Sequence, residues 1–539
     1  MGEFEAMTIF ILGAGVMQSP AIRAAKELGW KVVVADANAE APGAALADRF
    51  FPVDLKDREG LVVSARETQA EFGLDGVFTA GTDFSSSVAY VAEALSLPGI
   101  PLETALRASD KLKMRMALAE AGVPSPRFAS ASSPEDPAIA AAGLGFPLVV
   151  KPADSMGARG CRAVRSVSEL SAAIAAALPY SRSGRAIVEE YIEGPEFSID
   201  ALVDGEDIRI RGFADRHVFF EPYFVELGHT MPSSASEEVK AEVLRVFSDA
   251  VRAIGIRRGA AKGDMKYCLS RRSGMVGEIA ARLSGGYMSG WTYPYASGID
   301  LTTEALLLAV GQGFGTEPED RRWFSAERAF ISIPGTVASV EGLPLAEREP
   351  YVKNVFLRVA PGSKVVFPSN NVEKCGNVIS QAPTRDEAVS AAESASRSLR
   401  VRLVPDDPDT EAFLHGEWSK EKDWPPIAFK AEGEAERALA ALPEYVERTG
   451  GLVAPFALAS EVKGRDWTGS LFSGSAELAI ALERERGIRI GQQRTPCGRF
   501  WRALAFGGLQ AALYVLDTEA ARAALEMQPC RDAKKAGSR

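Results

Sequence analysis

A lysine at the end of an apolar strand, followed at once by a glycine-rich segment, is the first feature of this sequence that could bind phosphate. Lys151 lies in the run VVKP, and the loop SMGARG (155–160) comes shortly after it. Backbone N–H groups of such a loop can close on phosphate oxygens while the ammonium group neutralises their charge. The lysine precedes the glycines, so this is not a Walker A loop, and a surface hairpin is the alternative interpretation.

A second group of candidate ligands is an acidic turn between two predicted strands. The segment EEYIEGPEFS spans residues 189–198 and places Glu196 just after a Gly-Pro turn. Exposed backbone at such a turn can pair with the edge of an adenine ring. A carboxylate such as Glu196 can accept hydrogen bonds from both ribose hydroxyls. A solvated acidic hairpin is the competing interpretation.

Two carboxylates on adjacent predicted strands indicate a metal site. Asp264 and Glu278 belong to strands joined by a short polar turn, so they can face each other across a hairpin. Like charges side by side are costly unless a cation lies between them, and oxygen ligands near phosphate favour Mg²⁺ or Mn²⁺. Arg282 could stabilise charge that develops on a phosphoryl or acyl oxygen. A plain Glu278–Arg282 salt bridge is the alternative.

The order of these groups along the chain resembles that of the ATP-grasp superfamily. The resemblance implies a site that binds ATP with Mg²⁺ or Mn²⁺, in which Asp264 and Glu278 bind the metal and Arg282 and Lys151 are catalytic. It implies adenine contacts from the hinge and a ribose contact from Glu196. The implied ATP-binding residues are Lys111, Lys151, Ser155, Met156, Gly157, Gly160, Glu189, Glu190, Ile192 and Glu196.

The resemblance covers about residues 8–404 and departs from the family at one position. The family usually has an asparagine two residues after the metal-binding glutamate, and here Ala280 takes that place. The stretches IPGTVASVEG and KCGNVISQAPTRDEA resemble the lid module of the biotin-carboxylase-like branch. The resemblance implies an ADP-forming ligase that activates a small carboxylic acid as an acyl phosphate and passes it to an amine.

A polar segment ahead of the metal strands is the candidate substrate site. The stretches ADRH (214–217) and PYFVELGHTMP (222–232) resemble the substrate segment of amino-acid ligases that make dipeptides. Glu226 could hold an amino group, while the histidines could bind substrate or transfer protons; ordinary polar contacts are the alternative. The run GGYMSGW (285–291) is expected to form a substrate wall, with simple packing as the alternative. The predicted substrate-binding residues are His217, Glu226, His229, Arg282, Gly285 and Gly286.

Two other functions remain open from the sequence. One is a carboxylase subunit that activates bicarbonate, although the chain has no Ala-Met-Lys-Met biotin segment and no bicarbonate-site motif of that type. The other is a nucleotide-binding regulatory or assembly protein with a degenerate site, which Ala280 would favour. Phosphate release with amino acids alone, dependence on bicarbonate, or ATP binding without turnover would separate the three functions.

These groups require an α/β framework, and the sequence predicts one. Strand and helix patterns alternate through residues 8–105, which indicates a parallel sheet covered by helices. We predict a Rossmann-like pre-ATP-grasp domain over residues 7–108 and an α+β ATP-grasp domain over 109–325, of which 125–195 is a small hinged ATP-binding subdomain. A small β-rich, biotin-carboxylase-C-like lid module follows over 326–405, and a helical region of unknown role over 406–539.

A glycine turn after the first strand invites a dinucleotide-binding interpretation. The run GAGVM (13–17) follows a strand and precedes a helix, and Asp36 ends the next strand as a ribose-binding acid would. The third glycine of that fingerprint is missing, because the run continues with Gln18-Ser19-Pro20. We therefore expect a tight strand–helix turn that binds no nicotinamide.

Composition limits the class of partner. The net charge of −11 disfavours nucleic acid or an anionic membrane, which both require a basic face. The five scattered cysteines match no zinc or disulfide pattern and the start MGEFEAM is no secretory signal, so we expect reduced thiols in a cytoplasmic enzyme. The apolar run 500–516 contains Arg502 and Gln510 and predicts a buried helix, with surface docking as the minor alternative. The expected partners are a small acid and an amine, with a homodimer expected from the family.

Overall fold

The largest feature of the fold is an eight-stranded sheet. The computed structural model describes residues 7–135, 141, 143–315, 323–419, 424–447, 462, 464–485 and 494–526, and within them the strands form five sheets. Two of the other sheets have four strands each, and the remaining two have three and two. Parallel and antiparallel sheets with packed helices confirm the predicted α/β fold class.

The N-terminal part is a parallel sheet with helices against it. Its elements are β1 (Thr8–Leu12), α1 (Ser19–Glu27), β2 (Lys31–Ala35), β3 (Arg49–Phe51), α2 (Arg58–Phe72), β4 (Gly76–Phe78), α3 (Ser85–Ala94) and α4 (Leu102–Ser109). The strands are parallel and lie in the order β3-β2-β1-β4. Strand β1 is buried throughout, as expected of a strand covered on both faces.

The glycine turn after β1 is a tight structural turn. The Asp36 carboxylate accepts hydrogen bonds from the backbone N–H groups of Ala14, at 2.8 Å, and Asn38, at 2.9 Å. Gly13 has φ of +103°, a conformation that favours glycine. The acid at the end of β2 is therefore engaged by the turn itself.

A small antiparallel sheet follows and carries the glycine-rich loop that was predicted to bind phosphate. Its elements are α5 (Lys111–Glu120), β5 (Phe128–Ala131), β6 (Leu148–Pro152), β7 (Arg162–Val164), α6 (Val167–Ala177) and β8 (Ala186–Glu190), and the strand order is β5-β8-β6-β7. The loop 153–161 joins β6 to β7, so it leaves the sheet directly after Lys151. Helix α6 packs Leu170 and Ile174 into the same buried cluster as Leu148, which fixes the sheet beneath the loop.

The eight-stranded sheet supplies the opposite wall of the site. The elements of this part of the chain are β9 (Glu196–Asp204), β10 (Asp207–Phe219), β11 (Val225–Met231), α7 (Glu237–Ile254), β12 (Arg258–Cys268), β13 (Ser273–Ala280), α8 (Tyr293–Ser297), α9 (Leu301–Ala309), β14 (Phe324–Phe330), β15 (Gly335–Glu341), α10 (Leu343–Arg348), β16 (Val352–Leu357), β17 (Lys364–Val365), β18 (Gly376–Ala382), α11 (Arg385–Ser398) and β19 (Arg400–Leu403). The sheet order is β13-β12-β9-β10-β11-β14-β18-β16, and β15 pairs with β17 and β19 in a separate sheet. The boundary predicted between residues 325 and 326 falls inside β14, so the C-terminal module extends the central sheet.

The C-terminal helices share a hydrophobic core with that module. The elements are α12 (Pro408–Leu414), α13 (Glu434–Ala441), β20 (Tyr445–Glu447), α14 (Phe472–Glu485), β21 (Arg494–Pro496) and α15 (Gly498–Glu526), the last interrupted at Gly507 and Gly508. Phe500 and Trp501 are fully buried in one cluster with Val378 of β18, which confirms the predicted buried helix. None of the described helices has the length and apolar character of a membrane span. The four cysteines within the described residues are free and buried.

Candidate active site

The predicted nucleotide-binding residues line one cavity between the small sheet and the central sheet, which we call the nucleotide cavity. The glycine loop and β6 form one wall, and β12 and β13 form the other. Gly160 is the one predicted ATP-binding residue that does not line it; this glycine instead packs beside Tyr180, with φ of +66°. The predicted residues on its surface are Lys111, Lys151, Ser155, Met156, Gly157, Glu189, Glu190, Ile192, Glu196, Asp264 and Glu278.

Lys151 is held by a buried ion-pair network. Its Nζ lies 2.7 Å from Glu189 Oε2, while Glu189 Oε1 accepts from Arg115 Nε at 2.7 Å. Burial opposes the charge of the lysine, but the neighbouring Glu189 raises its pKa above the ordinary value. Both oxygens of Glu189 are engaged by cations, so its contribution is to position Lys151 rather than to contact a nucleotide.

Lys111 joins the glycine loop to the metal carboxylates. The residue begins α5, whose first turn is capped by Asp110. The Lys111 Nζ donates to the Ser155 carbonyl oxygen at 2.7 Å and lies 3.5 Å from Glu278 Oε1. The two lysines therefore enter the cavity from different elements, as phosphate neutralisation at separate oxygens requires.

The Glu190 side chain at the start of the hinge turn is already paired. The Glu190 carboxylate binds Arg127 and Arg271 at 2.8–3.0 Å. Burial raises its pKa, but the hydrogen bonds from these arginines prevail and lower it to about 2. The Glu190 carboxylate is therefore engaged within the protein, and the Glu190 N–H donates to the Arg127 carbonyl oxygen at 3.0 Å. The carbonyl oxygen of Ile192 accepts a hydrogen bond from Lys266 at 2.9 Å.

Glu196, the predicted ribose ligand, is also charge-paired. Its Oε1 lies 3.0 Å from Lys266 Nζ, and its Oε2 accepts from Arg216 Nη1 at 2.8 Å. A carboxylate has about four acceptor positions, so both pairs leave it able to accept from hydroxyl groups. Arg216 was missed by the sequence analysis because an arginine in a strand carries no local signal of which carboxylates surround it.

The two predicted metal carboxylates stand directly opposite each other across β12 and β13. Asp264 pairs in register with Glu278, and both line the nucleotide cavity. Burial opposes their ionisation, yet Arg216 and Lys262 lower the pKa of Asp264, and Lys111 and Lys262 lower that of Glu278. Both groups are therefore held as carboxylates.

The chemistry of this donor set fits Mg²⁺. Within the part of the chain that the structure describes, no cluster of three or more His, Cys, Asp or Glu ligands is present. Mg²⁺ is commonly held by one or two carboxylates and completes its shell with water and nucleotide phosphates. Asp264 and Glu278 would hold the ion, which would neutralise the charge of a transferring phosphoryl group.

Arg282 is free of a carboxylate partner among the described residues. Its side chain is buried, with Nη1 donating to the Leu283 carbonyl oxygen at 3.0 Å. The alternative Glu278–Arg282 salt bridge does not occur in the structure, since no ion pair within 4.0 Å joins the two residues. A buried guanidinium with no ion pair within 4.0 Å, beside two metal carboxylates, is suited to receive a negatively charged group.

A second cavity of about 360 Å³ adjoins the first and contains most of the predicted substrate residues. We call it the substrate cavity. Asp264 and Glu278 line both cavities, so a group in the second can reach the phosphate end of the first. The predicted substrate residues on its surface are Glu226, His229, Arg282, Gly285 and Gly286.

His217 is the predicted substrate residue that the structure does not bring to the cavity. Successive side chains of a strand point to opposite faces, and Arg216 lines both cavities. His217 faces away and its Nε2 lies 2.9 Å from Thr230 Oγ1. Burial and the nearby Arg328 lower the pKa of His217 to about 4. Its environment is that of a neutral packed side chain rather than a substrate ligand.

Glu226 and His229 form the polar floor of the substrate cavity. Their side chains are 3.7 Å apart at the closest ion-pair atoms, and Arg216 Nε donates to Glu226 at 2.9 Å. Burial raises the pKa of Glu226, but the charges of His229, Arg216 and Lys374 outweigh it and lower that pKa to about 2. Glu327, fully buried on β14, lies 3.0 Å from His229 Nδ1 and fixes the ring.

The C-terminal module adds an unsatisfied acceptor that the sequence analysis missed. Asn377 on β18 lines the substrate cavity and donates its amide N–H to Glu327. A carboxylate offers only acceptors, so this bond turns the Asn377 Oδ1 away from Glu327. That oxygen is buried and has no hydrogen-bond partner among the described residues. An isolated asparagine in a strand gives no sequence signal of such a role.

The same module also connects the glycine loop to β11, the strand that carries Glu226 and His229. Asn371 donates its backbone N–H to the Gly157 carbonyl oxygen at 2.9 Å and accepts the Glu226 N–H at 2.8 Å. The buried Lys374 donates to the Glu226 carbonyl oxygen at 2.9 Å. The nucleotide and substrate cavities are therefore connected through a single loop of the C-terminal module.

Comparison with protein families finds three matching domain models. Residues 22–99 match the ATP-grasp N-terminal domain, residues 108–264 the ATP-grasp domain, and residues 329–404 the L-amino acid ligase C-terminal domain 2. The matches follow one another along the chain in the order of the parallel sheet, the nucleotide cavity and the module with Asn377. The segment predicted to resemble a biotin-carboxylase lid thus matches a domain of L-amino acid ligases.

Curated relatives share about a quarter to a third of their residues with this chain. The y4rH protein of Sinorhizobium fredii is 26% identical over 357 residues, which cover 66% of this chain and 73% of that protein. The carbamoyl phosphate synthase large chain of Thermus thermophilus is 26% identical over 72% of this chain and 39% of its own length. The D-alanine–D-alanine ligase of Ectopseudomonas mendocina is 35% identical over 32% of this chain and 56% of its own. The chain thus spans less than two thirds of the last two relatives.

Solved structures share the fold. The L-amino acid ligase from Bacillus licheniformis superposes with a TM-score of 0.66 at 24% identity, over 74% of this chain and 100% of that one. A biotin carboxylase from Campylobacter jejuni superposes with a TM-score of 0.57 at 19% identity, over 74% of this chain and 92% of its own. At these identities the likeness establishes the architecture.

Proposed function

We propose that this chain, an ATP-grasp ligase of the ADP-forming carbon–nitrogen class by its three matched domains, joins a small carboxylic acid to the amino group of an amino acid. ATP would convert the acid to an acyl phosphate, and attack by the amine would release phosphate. The single observation that carries the proposal is the pair of adjoining cavities that share Asp264 and Glu278. ATP is a cytoplasmic metabolite, so we place the reaction in the cytoplasm.

The nucleotide cavity supports the first half of the reaction. A carboxylate is a poor electrophile, and transfer of the γ-phosphoryl group makes it reactive while negative charge spreads over the transferring oxygens. Lys111 and Lys151 would bind those oxygens from two sides. The metal held by Asp264 and Glu278 would supply further positive charge. Arg282, buried and without a carboxylate partner in the described chain, would orient the acid for attack on the phosphorus.

The substrate cavity supports an amine as the second reactant. Glu226 is a carboxylate at neutral pH, and the Asn377 Oδ1 is a buried acceptor without a partner among the described residues. The Glu226 carboxylate lines the substrate cavity and matches a group with several N–H bonds better than a hydroxyl group with one. Leaving a buried acceptor unpaired costs roughly 1–3 kcal/mol, so a donor that fills it gains affinity. The His229 side chain lines the same cavity, with its Nε2 3.7 Å from Glu226.

A screen for ADP and phosphate release tests this proposal. The full-length protein would be incubated with ATP, Mg²⁺ and pairs of amino acids in bicarbonate-free buffer, and products identified by mass spectrometry. We expect ADP, phosphate and a dipeptide or related amide in equal amounts. Turnover only after bicarbonate is added would indicate the carboxylase, and ATP binding without turnover under any pair would indicate the regulatory protein.

Asn377→Leu, which keeps the branched shape but removes both the Oδ1 acceptor and the amide donor to Glu327, tests the amine site. The expected result is a rise of about tenfold in KM for the amine, equivalent to about 1.4 kcal/mol, with KM for ATP unchanged. Gln381→Met on the same strand removes an amide whose Nε2 bonds the Tyr295 carbonyl oxygen, away from both cavities, and is the matched control. Equal KM values for the amine in the wild type and Asn377→Leu would exclude this contact.

A further inference from the structure

The candidate metal site contains the ammonium group of Lys262, which none of the reaction steps proposed above uses. Lys262 lies two residues before Asp264 on β12, so both side chains project from the same face of the strand. The Lys262 Nζ contacts Asp264 Oδ2, and the lysine side chain is 13% exposed. Lys262 also lines the substrate cavity beside Glu278. A half-buried lysine thus lies among the groups that would bind divalent cations.

The residue opposite Lys262 explains how the ammonium fits. Lys262 pairs in register with Ala280 across β12 and β13, as Asp264 pairs with Glu278. Directly opposed residues of an antiparallel pair have Cβ atoms about 4.5–5.5 Å apart. A side chain longer than alanine at position 280 would compete with Lys262 for the space next to Asp264. The small side chain of Ala280 therefore leaves the space that Lys262 occupies on the opposite strand.

The ammonium group limits how many metal ions the carboxylates can hold. Asp264 Oδ2 contacts Lys262, while its Oδ1 accepts a hydrogen bond from Ser198 Oγ at 3.1 Å. Lysine carries three donors and no acceptor, so it repels a cation and cannot coordinate one. On the other side, Lys111 lies 3.5 Å from Glu278 Oε1. The Lys262 side of Asp264 is therefore occupied by an ammonium group, which excludes a divalent ion there.

We propose that the Lys262 ammonium replaces one of the two divalent cations that phosphoryl transfer commonly employs, so that this chain binds a single metal ion with its nucleotide. The inference rests on the proposed use of ATP. A fixed cation supplies positive charge to the phosphates without a binding equilibrium of its own. Ala280 is then no sign of a degenerate site. Its side chain lacks an oxygen donor for a second metal ion, and the Lys262 ammonium supplies the positive charge that this ion would have supplied.

Counting bound Mn²⁺ tests the inference without relying on turnover. The full-length protein, saturated with a non-hydrolysable ATP analogue, would be titrated with Mn²⁺ and free Mn²⁺ followed by electron paramagnetic resonance. We expect one tightly bound ion per chain for the wild type. The double variant Lys262→Met with Ala280→Asn removes the ammonium and restores an oxygen donor, and we expect two ions per chain.

Lys266→Met is the matched control for this count. Lys266 lies four residues further along β12 and pairs with Glu196 at 3.0 Å, outside the metal carboxylates. Its loss should leave one Mn²⁺ per chain, whatever it does to nucleotide affinity. Two ions bound to the wild-type nucleotide complex would overturn the inference while leaving the ligase proposal intact. No binding of the nucleotide analogue at all would overturn both, and the wild-type count decides even if the double variant fails to fold.

Discussion

At the scale of single residues, the candidate site consists of carboxylates whose charges are balanced before any ligand enters. Glu189, Glu190 and Glu196 are each paired with two cations, and these pairs orient the lysines and the hinge. Asp264 and Glu278 have the nearby cations Lys262 and Lys111. Charges fixed in advance reduce the reorganisation needed when phosphate arrives, which is how electrostatic preorganisation lowers a barrier.

Glu278→Gln should abolish turnover and leave the fold largely intact. The change removes one metal-binding charge at nearly constant volume, and we expect turnover to fall at least about a thousandfold, or ~4 kcal/mol in the barrier. Rates of ADP release and thermal melting measure the two effects. Glu238→Gln, at a side chain that is 74% exposed on α7, is the control for charge removal. Full activity of Glu278→Gln would remove this residue from the mechanism.

Glu190→Gln should make the protein less sensitive to acid. The folded pKa of Glu190 is about 2, below its ordinary value of 4.5, so its stabilisation is complete above pH 4.5 and is lost as the pH falls towards 2. Because both partner arginines are about half exposed, solvent screening reduces the effect to roughly 1–2 kcal/mol. The variant should melt below the wild type at pH 7 and converge with it near pH 2.

Thermal midpoints measured between pH 2 and 7 check this expectation. Glu193→Gln alters an exposed acid in the same turn, where the described chain shows no ion pair, and should leave the pH profile unchanged. A constant difference between Glu190→Gln and the wild type at every pH would contradict the assignment, because the ionic part of the Glu190 interaction must disappear when the carboxylate is protonated.

At the scale of elements, the hinge between β8 and β9 packs directly against β12. Gly194 has φ of +141°, and a Cβ atom there would overlap the carbonyl oxygen of Tyr267 on β12. The turn is attached to the same strand by a 3.0 Å hydrogen bond from the Tyr267 N–H to the Pro195 carbonyl oxygen. The glycine thus allows the hinge to approach the strand that carries Asp264.

Gly194→Ala should therefore impair nucleotide binding. We expect KM for ATP to rise about tenfold or more, because strain and overlap of roughly 1–3 kcal/mol must be relieved by moving the hinge away from β12. Gly205→Ala is the matched control, since Gly205 also has positive φ but an added Cβ meets nothing within 4 Å. Steady-state kinetics of both variants check the prediction. An unchanged KM for ATP in Gly194→Ala would show that close approach of the hinge is unnecessary.

At the scale of the whole molecule, the C-terminal helices and the module with Asn377 form one folding unit. Phe413, Phe500 and Leu504 belong to the same buried cluster as Val378 and Leu403. Arg402 on β19 is paired with Asp517 on α15 at 2.6 Å. Tyr223, two residues before β11, contacts Trp424 with ring centroids 4.5 Å apart. The helices therefore support strands that line the substrate cavity.

A chain that ends at Val404 should lose solubility. Removal of the helices exposes the apolar residues of β15, β18 and β19 that the shared cluster covers, and large apolar patches promote aggregation. The soluble fraction and the elution volume in size-exclusion chromatography measure this. A chain that ends after Glu526 keeps the described contacts and is the control. A monomeric, folded and active protein that ends at Val404 would contradict the shared-core interpretation.

The sequence by itself determined the types and the order of the nucleotide-binding groups, because each depends on local structure. A hairpin with a short turn brings Asp264 and Glu278 close together, as their spacing predicted. The turn alone would place Asp264 opposite Gly277, and a register shift between Asp264 and Met265 brings Glu278 opposite it instead. The alternating strands and helices likewise predicted the parallel N-terminal sheet. The same local reasoning identified 500–516 as a buried helix.

Only the tertiary structure decided how those groups are paired and which residues complete the substrate cavity. His229 meets Glu327 across 98 residues, and Asn371 meets Glu226 across 145. Such contacts depend on which distant strands become neighbours, and that choice follows from burying whole sheet faces rather than from any local pattern. For the same reason the sequence placed His217 and His229 together, whereas the strand faces separate them.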